Sequence, residues 1–218
     1  MPMEKKITVL FVLLCNIFFL WAQDSTVYKG ITIQQGDLLF VGAQPENLSG
    51  AINRVTQRNA GDSFSHIGLI EIIQGIPYIL HATGSKGSVK ESLDNMIGDN
   101  DRQQYVVYRI DSMYMEAIPK ALEKAHQMLG KPYNWSYVLT DSSYYCSDFV
   151  ERAFRHIALF RLEPMTFKNP QTGTFDDFWL SFYDKLGIAV PEGELGCNPN
   201  GLAASTKIYR VGTLEIEK

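Results

Sequence analysis

The sequence has few cysteines, no clustered positive charge and only one long apolar run, and each shortage narrows the possible classes of protein. Lysine and arginine total 20 against 24 acidic residues, with no basic run, so no nucleic-acid partner is expected. A mean hydropathy of -0.10 excludes both a protein with several membrane spans and a disordered tail. The length of 218 residues, with no internal repeat or linker after residue 22, favours a single globular domain.

The one long apolar run lies at the N-terminus and resembles an export signal. Two lysines precede the apolar residues 7–20, a stretch shorter than the roughly 20 residues that span a membrane. Ala22 is a small residue followed by a polar one, as at a signal-peptide cleavage site. We therefore expect residues 1–22 to be a secretion signal, 23–218 to be the mature domain, and the protein to reach the periplasm or cell envelope of a bacterium. An uncleaved anchor and a lipoprotein modified at Cys15 are the alternatives.

Helical and strand-like spacings segregate along the chain, which predicts an α+β fold. A Gln74-Gly75 step between two β-rich runs is typical of a two-residue hairpin turn. Gly130, with Pro132 beyond it, ends one predicted helix. The predicted strands cover 31–41, 65–73, 76–82, 103–110 and 207–216, and the predicted helices cover 48–57, 115–130, 147–159 and 175–186.

Two cysteines lie in the mature domain, and their surroundings differ. Cys146 falls at the start of a predicted amphipathic helix, among Ser, Tyr and Asp residues. The positive end of the helix dipole and this polar, partly open setting favour a reactive thiolate. A small buried hydrophobe is the alternative interpretation. Cys197 lies in a loop rich in Gly, Pro and Asn, where a bystander thiol is expected, although a disulfide between the two would silence Cys146.

Two histidines on the predicted hairpin supply a candidate base for this thiol. Pairing outward from Gln74-Gly75 places His81 opposite Gly68 and puts His66 on the same face of the sheet. Gly68 leaves room beside them for a partner helix. One imidazole can then act as a base while the other holds its ring. Ordinary strand histidines and a two-histidine metal site are the alternatives, but no third ligand is evident, so no metal or cofactor is expected.

Four blocks of the sequence resemble the NlpC-type papain-like cell-wall peptidases. The blocks are Gly36-Asp-Leu-Leu-Phe, Ser65-His-Ile-Gly-Leu-Ile, Leu80-His-Ala, and Gly130-Lys-Pro-Tyr-Asn-Trp followed by Cys146-Ser-Asp-Phe-Val. In ordinary members the cysteine block precedes the histidine block, whereas here the order is reversed. This order resembles the circularly permuted branch, the YiiX/YaeF-like amidases, over residues 31–157. The resemblance implies a papain-like core, with the cysteine-bearing helix packed on an antiparallel sheet.

The resemblance also implies roles for individual residues. Cys146 would be the nucleophile, His66 the general base and then acid, and His81 the orienting residue, where permuted relatives can carry Glu. Asp148 departs from the family pattern, because Gly is common there in unpermuted members.

Further residues would shape the same site. Tyr133 matches the tyrosine that lines the family's site. It is grouped with Tyr145 and Ser147 as a substrate-binding or oxyanion residue, beside the Cys146 backbone N–H. Asp37 and Gly68 would be structural residues near the site.

These observations predict an exported cysteine hydrolase that cleaves amide bonds through a Cys thioester. A cell-wall peptide is the favoured substrate by analogy alone, with association to the cell envelope. The same site could serve a lipid acyl hydrolase or acyltransferase, which a cleft lined by apolar side chains would favour, and the candidate residues are Phe167, Phe175, Phe178 and Trp179. A non-catalytic module that binds cell wall or lipid is the third possibility.

Overall fold

Ten strands are present in the computed structural model, which describes residues 25–58, 61–98 and 103–216. They are β1 (Ser25–Tyr28), β2 (Ile31–Gln34), β3 (Leu38–Gly42), β4 (Phe64–Ile73), β5 (Ile76–Thr83), β6 (Gly87–Ser92), β7 (Tyr105–Ile110), β8 (Glu163–Pro164), β9 (Leu195–Gly196) and β10 (Ile208–Thr213). Six of them form the central sheet in the order β10-β7-β3-β4-β5-β6, with each neighbouring pair antiparallel.

Six α-helices occur in the same part of the chain, and most of them lie outside the strand-rich first half. They are α1 (Asn47–Thr56), α2 (Leu93–Ile97), α3 (Ile118–Gln127), α4 (Cys146–Phe154), α5 (Asp177–Leu186) and α6 (Pro199–Ala203). Short 3-10 turns at Ser112–Ala117 and Arg155–Ile157 precede α3 and follow α4. The predicted α+β class is therefore confirmed.

The sheet separates two hydrophobic cores, because side chains alternate between its faces. Leu38 and Phe40 of β3 point into the main core, which also holds the apolar stripes of α3 and α4. Leu39 and Val41 of the same strand point into a smaller core beneath α2. The nucleophile helix of the predicted site therefore packs on one defined face, against β4 and β5.

The hairpin of β4 and β5 has the turn and register that the sequence predicts. Gln74 and Gly75 both have positive φ, 52° and 80°, as the two central residues of a type I′ turn require. The ladder runs from the Ile73–Ile76 pair to the Leu69–Leu80 pair. His81 follows directly after the last β5 residue of this ladder, and His66 lies three residues before Leu69 on β4.

Several predicted boundaries shift for local reasons. The predicted strand 31–41 is divided into β2 and β3, because Gly36 adopts a φ of 84° and turns the chain. The predicted helix 115–130 forms only as α3, whose first turn contains Pro119, a position where the missing N–H is tolerated. The predicted helix 147–159 ends as an α-helix at Phe154.

The predicted secretion signal, residues 1–22, lies outside the described residues. Within the described ranges, no helix combines the length and apolar character needed to cross a bilayer.

Candidate active site

Cys146 is the first residue of α4, and its thiol lies against the sheet. Tyr145 has an extended backbone, so the helix begins at Cys146 and the N–H groups of its first turn point out of the helix at this end. Phe149, Val150 and Ala153 are fully buried in the main core and hold the helix on β4 and β5. The position of the thiol is therefore set by the packing of the helix behind it.

The burial of Cys146 differs from the partly open setting that its sequence neighbours predict. The residue is only 4% exposed. Burial raises the pKa of the thiol to about 11, although the backbone N–H groups of Ile67 and Ser147 lower it. The expected partly open setting is therefore wrong, and desolvation outweighs the helix N-terminus in its effect on the pKa of this thiol. The thiol therefore needs a base to remove its proton. It accepts a hydrogen bond from the backbone N–H of Ile67, the residue after His66 on β4.

Three side chains on neighbouring strands form a hydrogen-bonded chain behind that position. His66 Nε2 lies 2.9 Å from His81 Nδ1, and His81 Nε2 lies 2.9 Å from Glu91 Oε1. Lys86 Nζ bonds the other carboxylate oxygen of Glu91 at 2.7 Å. The prediction that the two histidines share one face of the sheet is confirmed. Sequence reasoning missed Glu91 and Lys86.

This chain of contacts assigns the protons on both imidazoles. Burial raises the pKa of Glu91, but hydrogen bonds from Lys86 and His81 outweigh it, and the net pKa is lowered, so the carboxylate is ionised. An ionised carboxylate only accepts hydrogen bonds, so His81 Nε2 carries a proton and His81 Nδ1 accepts one from His66 Nε2. His66 Nδ1 is then left unprotonated. Glu91 thereby keeps His66 in the tautomer whose Nδ1 is free of a proton, which is the form that a general base requires.

Both imidazoles are neutral at neutral pH. Burial, followed by the nearby His81, lowers the pKa of His66 to about 3. Burial also lowers the pKa of His81, against the opposing effect of Glu91. At neutral pH the fold therefore holds a protonated thiol at Cys146 and neutral imidazoles at His66 and His81.

We expect the free energy of unfolding to fall as the pH drops below about 6.5, because both histidines stay neutral in the fold. Because their pKa values are lowered in the fold, the unfolded chain binds these protons at a higher pH than the folded protein does. As the pH falls, each histidine therefore lowers the free energy of unfolding by up to about 1.4 kcal/mol per pH unit. His66→Gln should therefore lose stability less steeply than wild type in urea unfolding between pH 6.5 and 4. Asp148, whose pKa burial raises to about 6, acts in the opposite direction in both proteins. Equal slopes would contradict a neutral buried His66.

Gly68 is required by the neighbouring strand rather than by a partner helix. A Cβ at this position would come within 2.4 Å of the Ile79 side chain and 3.1 Å of His81 Cβ. The sequence predicts that a partner helix occupies the space beside Gly68. The side chains of Ile79 and His81 on β5 occupy it instead, so this prediction is wrong. The missing side chain instead lets His81 approach β4 closely enough to reach His66.

The three predicted substrate or oxyanion residues take different positions. Burial raises the pKa of Tyr133 well above its usual value, and the Cys146 backbone N–H opposes this, so the Tyr133 hydroxyl lies at the N-terminus of α4. The Tyr145 hydroxyl accepts the Cys197 N–H at 3.2 Å, and Ser147 Oγ donates to the Cys197 carbonyl at 3.1 Å. Those two hydroxyls hold the Cys197 loop, which leaves Tyr133 as the member of the set whose hydroxyl faces the thiol.

Asp37 has a structural environment. Its carboxylate is 1% exposed and accepts two hydrogen bonds of 2.8 Å from Arg109 on β7. It also accepts the Gln34 backbone N–H at 2.7 Å, which closes the turn between β2 and β3. These contacts join three strands of the fold through one buried ion pair.

A cavity of about 630 Å³ opens beside Cys146 on the side of the main core. Its walls come from α1, from the loop before α4 and from the segment 158–207. The sequence carries no motif over 158–206 and predicts only a wall or lid of the cleft there. The side chains along it are mainly apolar or aromatic, and they include Ile52, Val55, Tyr137, Leu159, Phe160, Met165, Phe167, Trp179 and Leu202. Cys197 lines the same cavity as a free thiol, so it is not bonded to Cys146.

A cysteine at the start of a helix, packed on an antiparallel sheet that carries a hydrogen-bonded pair of histidines, defines a papain-like cysteine hydrolase. The model of the permuted papain-like amidase family, YaeF/YiiX, C92, matches residues 32–212. The chain belongs to this family of permuted papain-like cysteine amidases.

Two relatives from Escherichia coli are similar to this chain. The uncharacterised protein YiiX of strain K12 is 30% identical over 125 residues, which span 56% of this chain and 58% of that protein. A crystal structure of YiiX from strain O157:H7 superimposes with a TM-score of 0.67 at 22% identity, covering 83% of this chain and 97% of that one. The second similarity supports the fold alone.

The crystallised YiiX from strain O157:H7 is described as a metalloprotein. Across residues 25–58, 61–98 and 103–216 of the present chain, no group of three or more His, Cys, Asp or Glu side chains is arranged to hold a metal ion. The residues present do not fit such a centre, and we derive no step through a metal.

Proposed function

We propose that this protein is an exported cysteine amidase that places a largely apolar acyl group of its substrate in the cavity beside Cys146. The observation that carries the proposal is that the nucleophile opens onto a 630 Å³ space with aromatic and aliphatic walls. Ligand pockets commonly have volumes of about 300–1,000 Å³ and bury most of the ligand surface. Export rests on the sequence of residues 1–22, and N-terminal sequencing of the protein from an envelope fraction would test it.

The reaction follows from the assigned protons. His66 Nδ1 takes the thiol proton as Cys146 Sγ attacks the acyl carbon, and the carbonyl oxygen becomes an oxyanion near the start of α4. The C–N bond then breaks, and His66 gives the proton to the leaving amine. Water, deprotonated by His66, attacks the thioester, and the released Cys146 sulfur regains its proton as the acid departs. The thiol and imidazole thus return to their neutral resting forms.

The position of the histidines supports placing the acyl part, rather than the amine, in the cavity. His66 must protonate the leaving amine, so that amine lies on the His66 side of Cys146. Neither His66 nor His81 is among the residues lining the cavity, which extends from the thiol toward α1 and the segment 158–207. The group on the other side of the scissile carbon is the acyl group.

The chemistry of the walls favours an aliphatic acyl group over a cell-wall peptide. Phe167 and Trp179 form part of the wall, as the lipid alternative requires, whereas Phe175 and Phe178 pack in the adjoining core. The lining also includes the charged residues Arg161 and Lys207 and the pair Arg58–Glu163, whose side chains are both more than 40% exposed. A peptide would need polar partners along its length, which only the polar minority of the lining could supply, whereas the aliphatic and aromatic majority suits an acyl chain.

We expect kcat/KM to rise with acyl length in a series of p-nitroanilides with acetyl, hexanoyl and decanoyl groups. Each CH₂ that enters the cavity adds about 0.8 kcal/mol, or roughly a fourfold gain, until the space is filled. Release of p-nitroaniline measures the rates, matched p-nitrophenyl esters compare amide with ester, and Cys146→Ala gives the blank. A cell-wall stem peptide cleaved faster than the decanoyl anilide would contradict the acyl assignment and support the peptide alternative.

A further inference from the structure

Tyr137 combines a strained backbone, a buried hydroxyl and a place in the cavity wall. Its φ of 58° lies in the left-handed region, which bulky side chains rarely adopt. Gln74 shares such a φ for a hairpin turn, but Tyr137 is the only aromatic residue among the positive-φ positions within the described ranges. Strain of this kind persists where the surroundings enforce it, and it concentrates at functional sites.

A set of hydrogen bonds enforces this conformation. The buried Asn134 side chain donates to the Val138 carbonyl at 2.7 Å and accepts both the Ser136 N–H, at 3.1 Å, and the Ser136 hydroxyl, at 2.7 Å. The Tyr183 hydroxyl donates to the Ser136 carbonyl at 3.1 Å. Together these contacts close the loop around Tyr137 and fix the direction of its side chain.

The hydroxyl that this loop positions has no acceptor for its own proton. Tyr137 is 8% exposed, and its hydroxyl has no hydrogen-bond partner of normal geometry among the described residues. Burial raises the pKa of this hydroxyl, a hydrogen bond from the Tyr133 hydroxyl opposes the rise, and the nearby Cys146 adds to it. A buried hydroxyl whose proton has no acceptor costs stability, so a strained loop that creates one needs a reason outside the packing of the fold.

The direction of the hydroxyl relates it to the reaction. Tyr137 and Tyr133 line the same cavity as Cys146, and their rings meet edge to face at 6.4 Å. The nearby Cys146 contributes to the raised pKa of both hydroxyls. A protonated phenol beside the nucleophile is a donor prepared for negative charge that develops there.

We propose that Tyr137 is a catalytic residue whose hydroxyl donates a hydrogen bond to the oxygen of the scissile carbonyl as it becomes an oxyanion, together with Tyr133. The proton of the Tyr137 hydroxyl then acquires an acceptor only when substrate reacts. This role rests on the proposed amidase function, and it adds a residue that the family motifs in the sequence do not mark.

Tyr137→Phe separates this role from a structural one. We expect kcat to fall about 100-fold with little change in KM, because one oxyanion donor is lost. The melting temperature should stay level or rise, because the variant removes a buried hydroxyl whose proton has no acceptor. Tyr105→Phe is the matched control: this buried tyrosine lies in the smaller core, and its hydroxyl reaches the Ile97 carbonyl at 3.4 Å. The control should keep its kcat.

Two reagents test the residue without any substrate turnover. Decanal forms a hemithioacetal with Cys146, in which the C–S bond forms and the thiol proton moves to the aldehyde oxygen, so Tyr137→Phe should weaken its binding by about tenfold or more. Iodoacetamide forms a C–S bond and releases iodide without placing charge on an oxygen, so its rate at pH 8 should be unchanged. Equal losses with both reagents, unchanged decanal binding, or a lower melting temperature would overturn the proposal. Inactivity of the wild type on every acyl substrate would refute the amidase function while the decanal comparison still decides the role of Tyr137.

Discussion

Cys146→Ala should reduce turnover of the acyl substrates to background, a fall of roughly 10⁵-fold, with the fold retained. The thioester route requires the sulfur, because the neighbouring hydroxyl in the first turn of α4, that of Ser147, is bonded to the Cys197 carbonyl. The loss of one buried sulfur from a first-turn position removes little packing, so circular dichroism and the urea midpoint should stay close to those of wild type. A fall in activity with an intact fold assigns the chemistry to the thiol.

Cys197 supplies the matched control for this variant. It is a free, buried cysteine that lines the same cavity, and burial raises its pKa well above the usual range. Its hydrogen bonds with Ser147 and Tyr145 involve mainly its backbone, so Cys197→Ala keeps them. We expect this variant to retain activity within about threefold. Substantial activity in Cys146→Ala, or equal losses in both variants, would contradict a single nucleophile.

The parts of the site that depend on local rules could be predicted from the sequence. The Gln74-Gly75 turn sets the register of β4 and β5, and that register alone brings His66 and His81 to one face. The helix that begins at Cys146 follows from its apolar stripe. These features depend on residues that are close in the sequence, because they are joined by a two-residue turn or lie in one helix.

Burial of the thiol could not be predicted in the same way. The cavity wall beside Cys146 comes from the segment 158–207, which carries no family motif and reaches the site only through tertiary packing. The sequence around Cys146 is polar, yet its polar side chains bind one another or the Cys197 loop rather than solvent. Desolvation therefore depends on distant residues that no local pattern connects to the cysteine.

Glu91 lies between these two cases, because the sequence contains a turn pattern from which its position could have been predicted. The hairpin of β5 and β6 pairs Thr83 with Gly87 and His81 with Val89, so Glu91 lies two residues further along on the same face as His81. A turn at Gly84–Lys86 would have predicted this pairing. Without it, the carboxylate that completes the hydrogen-bonded chain is one charged residue among many.

Glu91→Gln should lower kcat/KM by about 10³-fold, because it reverses the proton assignment of both histidines. Lys86 Nζ carries only donors, so the new amide oxygen faces Lys86 and the amide NH₂ faces His81 Nε2. His81 must then hold its proton on Nδ1 and donate it to His66 Nε2. His66 is left with its proton on Nδ1, the nitrogen that has to accept the thiol proton.

The amide can be turned back by removing the donor that orients it. In Glu91→Gln combined with Lys86→Met, the amide oxygen is free to accept from His81 Nε2, and we expect most of the lost activity to return. Lys86→Met alone should cost less than about tenfold, since Lys86 is 53% exposed at its side chain and only supports the carboxylate. Nitrogen NMR shifts of the two imidazoles report the tautomers directly. Activity of Glu91→Gln within threefold of wild type, or a loss that the second substitution leaves unchanged, would mean that the carboxylate does not set the tautomer of His66.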